Sequence, residues 1–166
     1  FILHGNGATV VKPNLKLAPY NYTDNQIKNL RMFVNSGANY NDAQTEIRDV
    51  TIDGNAFSMW NPLVDSKYKY EQAVFFMVNG TADHHLKIQF DNVHFLNHFA
   101  SSITINNYAD VTITNSDSFN CLKGICTVVG DGNNINCDNI SADSDYGFTA
   151  FWVEINSSIA GQRTNY

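Results

Sequence analysis

The feature that most constrains this chain is a period of strand-like segments. Apolar and polar residues alternate over four to six positions in Ile47-Arg48-Asp49-Val50-Thr51-Ile52, Leu86-Lys87-Ile88-Gln89-Phe90, Ser102-Ile103-Thr104-Ile105 and Val111-Thr112-Ile113-Thr114. Such alternation puts one set of side chains on each face of an extended strand, as half-burial requires. The segments also recur. The step Ser102-Ile103 returns at Gly124-Ile125 and again at Gly147-Phe148, and Ile88 is followed at a similar interval by Ile113 and Ile135. Two series with nearly one period predict a repeated structural unit rather than scattered strands. Each unit holds two or three short strands and cannot bury its own apolar face. Stacked on a copy of itself, it can. The expected fold is all-β, a right-handed single-stranded parallel β-helix with coils of roughly 22–25 residues. It forms one domain over 1–166, or a segment of a longer one, with a loop insertion near 56–72.

Composition agrees with a fold of many corners. The 166 residues include 23 Asn, 11 Phe and 8 Tyr, with only 16% charged. Aromatic and β-branched residues can bury a core, which argues against disorder. Asn tolerates left-handed backbone and bonds its own main chain, so it suits tight corners. In a solenoid, equivalent corners lie one above the other. Asn92, Asn115 and Asn139 are expected at such corners, bonded into a ladder. Phe95, Phe119 and Phe148 are expected to point inward and stack in the core.

A net charge of −6 argues against a nucleic-acid partner, which selects for a basic face. No run of 18 apolar residues is present, so no membrane span is expected. The opening Phe1-Ile2-Leu3 is not a signal peptide, and its apolar character offers no polar cap for a solenoid end. The chain is therefore expected to be a homotrimer or part of a larger chain. Cys121, Cys126 and Cys137 show no metal-ligand spacing and read as small core residues. The sequons at Asn21, Asn79, Asn139 and Asn156 are those that an Asn-rich chain produces by chance. Only Asn25 to Val34 suggests a helical turn or two.

The phrases Gly5-Asn6-Gly7-Ala8-Thr9-Val10 and Val50-Thr51-Ile52-Asp53-Gly54-Asn55, with repeated Asn-x-x-Phe and Gly-Ile steps, resemble the pectin-lyase-like superfamily of right-handed parallel β-helices. The resemblance covers most of residues 1 to 158. It implies a relation to pectate lyases, polygalacturonases, alginate epimerases and phage tailspike depolymerases. Asn and aromatic richness with low charge looks closest in character to the tailspikes. The catalytic patterns of the family do not carry over. Asn115-Ser116-Asp117 is a distant echo of the Asn-Thr-Asp motif of polygalacturonases, but no Asp-Asp pair, Gly-His-Gly or Arg-Ile-Lys follows. No cluster of Asp faces an Arg as in pectate lyases, since the chain has only Arg31, Arg48 and Arg163.

Candidate chemistry therefore comes from the residues themselves. Glycoside hydrolysis needs two carboxylates, one protonated and one ionised. Asp143, Asp145 and Glu154 form the best local set. Glu154 is the expected acid, because Phe151-Trp152-Val153-Glu154-Ile155 is an apolar strand that disfavours its ionised form. Asp143 or Asp145 is the expected base on water; the competing reading makes both turn residues. Trp152 alternates with Glu154 and is a candidate sugar platform. Trp60 and Tyr68, on the insertion, are further candidates for substrate binding, with packing against the coil as the alternative. His84, His85, His94 and His98 are weak metal candidates, because a four-residue spacing joins ligands on a helix and not on a strand. No metal or cofactor is expected. The expected function is binding, and degradation, of a polysaccharide or oligosaccharide in the manner of a phage tailspike, at a virion surface or outside the cell. The alternatives are a non-catalytic virion or adhesin segment and a secreted polysaccharide lyase or epimerase.

Overall fold

The computed structural model describes residues 2–11, 17–19, 33–36, 44–55, 76–98, 102–121, 124–143, 145 and 152–154. Among them are twelve strands and no helix: β1 (Ile2–Val11), β2 (Phe33–Ser36), β3 (Gln44–Asp53), β4 (Phe76–Asn79), β5 (Leu86–His98), β6 (Ile103–Ile105), β7 (Ala109–Thr114), β8 (Asp117–Cys121), β9 (Cys126–Val129), β10 (Asn134–Asp138), β11 (Ser141–Asp143) and β12 (Trp152–Glu154). Among the described residues the structure is all-β, and every pairing between these twelve strands is parallel.

Two sheets account for all twelve strands. One runs β1-β3-β5-β7-β10, with β8 and β11 continuing it from the second half of β5. The other runs β2-β4-β6-β9-β12. Sequence order alternates between the sheets, so each pass of the chain lays strand on the equivalent strand of the pass before. The repeat is visible in the register. Leu86 pairs with Ala109, and Asp110 with Asn134. In the second sheet Phe76 pairs with Ile103, Ile103 with Cys126 and Thr127 with Trp152, at similar intervals. The earlier passes are longer, since Gln44 pairs with Lys87 and Phe33 with Phe76. Residues 56–75, which hold the expected insertion, lie outside the described residues.

Burial follows the alternation read from the sequence. Ile47, Val50, Ile52, Ile88, Phe90, Val93, Phe95, Val111 and Ile113 all face a single apolar core. Burying such a side chain contributes about 1.5–3 kcal/mol relative to leaving it in water. The expected inward isoleucines are all buried, but they occupy different rows. Ile88 and Ile135 each pair with Val111, whereas Ile113 lies between Phe90 and Cys137, and Ile52 pairs with Phe95. Of the stretch expected to hold a helical turn, residues 25–32 lie outside the described residues, and Phe33 and Val34 lie in strand β2, paired in parallel with Phe76 and Met77.

The three expected Asn stand at equivalent left-handed corners, but only Asn139 and Asn115 bond one another directly, since Asn115 turns to Asp91 and Asn92 to Asp49. Asn92, Asn115 and Asn139 have φ of 54°, 49° and 51°, and Asp49 occupies the equivalent corner one pass earlier with φ 54°. Asn139 Nδ2 donates to Asn115 Oδ1 at 2.8 Å, and Asn92 Nδ2 donates to Asp49 Oδ1 at 2.9 Å. Asn115 Nδ2 donates to Asp91 Oδ1 at 3.0 Å, which also accepts from Thr114 Oγ1 at 2.8 Å. Those bonds, from Asn115 first and then Thr114, hold the Asp91 carboxyl below the usual carboxylate range. A left-handed residue turns the strand and resets which side chains point inward. Hence the buried positions skip two residues at each corner: Ile47 to Val50, and Phe90 to Val93. The hydroxyl of Ser116 completes the corner, accepting from the Val93 N–H at 3.1 Å and donating to the Thr114 carbonyl at 2.7 Å.

Further corners repeat the device with other residues. Asn97 and Asn120 are left-handed (φ 51° and 56°) and stand at equivalent points of successive passes. Gly54, at the level below Asn97, donates its N–H to the Leu96 carbonyl at 2.8 Å. A Cβ on Gly54 would stand 2.5 Å from the Asn97 carbonyl oxygen, so only glycine permits this approach.

Replacing Asn115 tests the corner. Asn115→Ala should destabilise the protein by about 1–2 kcal/mol more than Asn115→Gly, because alanine resists the left-handed region that glycine accepts. Equal urea midpoints for the two variants would show that the conformation costs nothing there. A second expectation concerns pH. Asp91 is held ionised in the folded state, so its contribution is present above the ordinary Asp range and fades as pH falls through its lowered value. Asp91→Asn should flatten the acid limb of a stability–pH profile in that range; an unchanged limb would exclude this source.

Candidate functional site

In-register stacking converts sequence-distant residues into straight columns on the outer face of the first sheet, spaced about 4.8 Å per step. One column runs Val11, Asp53, Leu96, Phe119 and Asp143. The neighbouring column, two residues back along each strand, runs Thr9, Thr51, His94, Asp117 and Ser141. The residues between them on each strand, Ile52, Phe95 and Ser118, point inward and are buried. The two columns therefore share one solvent-facing surface.

Phe119 is 37% exposed on this surface, next to last in its column. The expectation that it packs inward is thus corrected, while Phe95 is fully buried and Phe148 lies outside the described residues. The reason is local phase. The corner at Asn115 leaves Ser116 and Ser118 pointing inward, so Asp117 and Phe119 must point out. Leu96, half-buried, lies on one side of Phe119 and Asp143 on the other. Along its own strand the outward neighbour of Phe119 is Asp117, whose Oδ2 meets His94 Nδ1 at 2.8 Å. Asp53 Oδ1 accepts from the Asn55 N–H at 2.8 Å and from Asn97 Nδ2 at 3.2 Å, which fixes the carboxylate against its corner.

The candidate residues divide between the two sheets. Asp143 ends β11 and is exposed; Asp145 is exposed beyond it, its N–H donating to Asn120 Oδ1 at 2.9 Å. Trp152 and Glu154 lie two positions apart in β12, paired in register with Thr127 and Val129 of the other sheet. Trp60 and Tyr68 fall outside the described residues. The surface thus joins Asp143 to residues the sequence did not group with it: Phe119, Leu96, Asp53 and the His94–Asp117 pair. The signal that could have found them is the register itself, since Leu96, Phe119 and Asp143 are each one repeat apart.

Other candidates have structural employment. His94 faces outward and His98 inward, the left-handed Asn97 standing between them, so the two do not converge on one point. His85 Nδ1 lies 3.1 Å from Asp110 Oδ1. Burial pushes the Asp110 carboxyl up, but hydrogen bonds from Asn134 and His85 outweigh it and leave the net value lowered. Among the described residues no group of three or more His, Cys, Asp or Glu could hold a metal ion. No helix among the described residues is long and apolar enough to cross a membrane. All three cysteines are free thiols. Burial pushes Cys121 up to about 12, and also raises Cys126 and Cys137.

Comparison of the chain with protein-family models, with curated proteins and with solved structures found no match.

The thiols provide a check on the packing. Iodoacetamide at pH 8 should leave Cys121 and Cys126 unlabelled in the folded protein and modify both in denaturant, because neither thiolate nor reagent access is available in the core. Rapid native labelling of either, read by mass spectrometry, would contradict the burial described.

Proposed function

We propose that this chain is a right-handed parallel β-helix, similar to the pectin-lyase-like superfamily and closest in character to phage tailspikes, and that it binds carbohydrate on the outer face of its first sheet. Right-handedness is supported by the chain's alternation between two parallel sheets, since about 98% of parallel crossovers within a sheet are right-handed. The observation that carries the binding reading is the exposed ring of Phe119, set in a column with Leu96 and flanked by Asp143 and Asp117. An apolar strip edged with acceptors matches a sugar ring, which presents C–H groups on its face and hydroxyl donors at its rim. The columns are built on strands, so the ligand groups are held rigidly before binding.

Binding is the reading that the exposed Phe119 supports, with cleavage as the second reading. Hydrolysis would have Glu154 protonate the leaving oxygen while Asp143 or Asp145 acts as base, and strands β12 and β11, which carry Glu154 and Asp143, belong to different sheets. A virion-surface or extracellular setting suits such a receptor, as does assembly into a trimer or a longer chain that covers the solenoid ends.

A panel of bacterial surface polysaccharides tests both parts. The wild-type protein should bind at least one, and Phe119→Ala should weaken that binding about tenfold, or about 1.4 kcal/mol, by isothermal titration. Undiminished binding in Phe119→Ala would move the site elsewhere. Release of reducing ends by wild type, lost in Glu154→Gln by roughly 10²–10⁴-fold, would restore the enzyme reading.

A further inference from the structure

We infer that the sugar recognised at Phe119 carries a free amino group, and that the ammonium sits between the Phe119 ring and the Asp143 carboxylate. This rests on the carbohydrate-binding reading and narrows it to one chemical class. Three observations point to a cation. First, Phe119 is an exposed aromatic side chain, and the electron-rich face of such a ring attracts ammonium groups. Second, it is bracketed by carboxylates from two directions: Asp143 on the next strand, in register, and Asp117 two residues back on its own strand. Third, neither column contains a Lys or Arg among its described residues.

Among the described residues, the Lys and Arg of the outer face are committed elsewhere, and His94 is paired with Asp117 at 2.8 Å. Arg48 lies 3.3 Å from Glu46 and 3.8 Å from Asp49. Lys87 pairs in register with Asp110, in the column that passes through Gln44 and Asn134. Both sit on the N-terminal side of the corner formed by Asp49 and Asn92, whereas Asp53, Asp117 and Asp143 lie on the C-terminal side. Among the described residues, the half of the face around Phe119 holds Asp53, Asp117 and Asp143 with no Lys or Arg, and its imidazole, His94, carries a positive charge only when protonated. Such a surface repels a uronate polymer and attracts an amino sugar, the Coulomb attraction adding to the cation–π contact. A neutral sugar would meet only the apolar strip and the acceptors.

The test is titration of the full chain with four probes at low ionic strength: a β-1,4-linked glucosamine oligosaccharide, its fully N-acetylated counterpart, an oligogalacturonate and hexalysine. The amine-bearing oligosaccharide should bind about tenfold more tightly than the acetylated one, and added salt should erase much of the difference. Asp143→Asn should remove the discrimination, and Phe119→Ala should lower affinity for both sugars. Because both side chains are exposed, the variants should keep the wild-type circular dichroism spectrum and melting curve; if either does not, the wild-type comparison of the four probes decides alone. Equal binding of the two glucosamine-based sugars overturns the amine assignment and leaves carbohydrate binding standing. Tighter binding of oligogalacturonate overturns it as well. Hexalysine binding as tight as the amino sugar, with the same dependence on Asp143, overturns recognition of a sugar in favour of any polycation. No binding of any probe overturns the amine assignment, whereas the carbohydrate reading of the Phe119 face falls only if the polysaccharide panel also fails to bind.

Discussion

The corner formed by a left-handed residue is the constraint on which the rest of this protein depends. Asp49, Asn92, Asn115 and Asn139 all take positive φ at equivalent points in successive passes. A strand that bent elsewhere would lose both the side-chain bond to the corner above and the backbone pairing on either side of the bend. Asn serves because its amide spans the gap between passes and its backbone tolerates the left-handed region at modest cost. Where Asp replaces it at position 49, the column still closes, because Asn92 donates to the Asp49 carboxylate.

Corner position fixes register, and register fixes the surface. Each inward or outward column is as straight as the stacking that produces it. The apolar rows through Ile47, Phe90 and Ile113 form the core, and the outward rows become ribbons whose composition no single stretch of sequence displays. The face at Phe119 draws on four strands, with Asp53, Leu96, Phe119 and Asp143 each arriving from a different pass of the chain. In-register stacking thus builds a continuous outward surface from strands, provided that one or two positions per pass depart from the usual polar exterior. Phe119 is such a departure, with Asp143 beside it on the next pass and Asp117 two residues back on its own strand.

The interior near the corners is not uniformly apolar. Ser116 and Asn133 are buried and stand in for backbone partners, the Asn133 side chain accepting from the Ala109 N–H at 3.1 Å and donating to the Asn106 carbonyl at 2.8 Å. Such residues satisfy main-chain groups that the bend leaves without a strand partner, where an unpaired group would cost about 1–3 kcal/mol. The free thiols fill the same space as small core side chains, Cys121 taking a bond from Ser102 Oγ at 3.3 Å. Their chemistry is suppressed by burial.

The sequence by itself determined the strand content, the existence of a repeat and the Asn corners. These follow from alternation and from the intrinsic conformational tolerance of one residue type, which are local properties. It did not determine the register. Ile113 stacks on Phe90, yet the sequence aligned it with Ile88, two positions earlier on the same strand; a slip of that size keeps every side chain on the same face, so alternation alone cannot detect it. Nor did it determine the direction of Phe119. The left-handed corner at Asn115 resets the inward and outward phase, and the depth of that reset depends on bonds such as Val93 to Ser116, made between one pass and the next. Only the tertiary structure closes those bonds, and so only the tertiary structure decides that an apolar side chain read as core stands in solvent between two carboxylates.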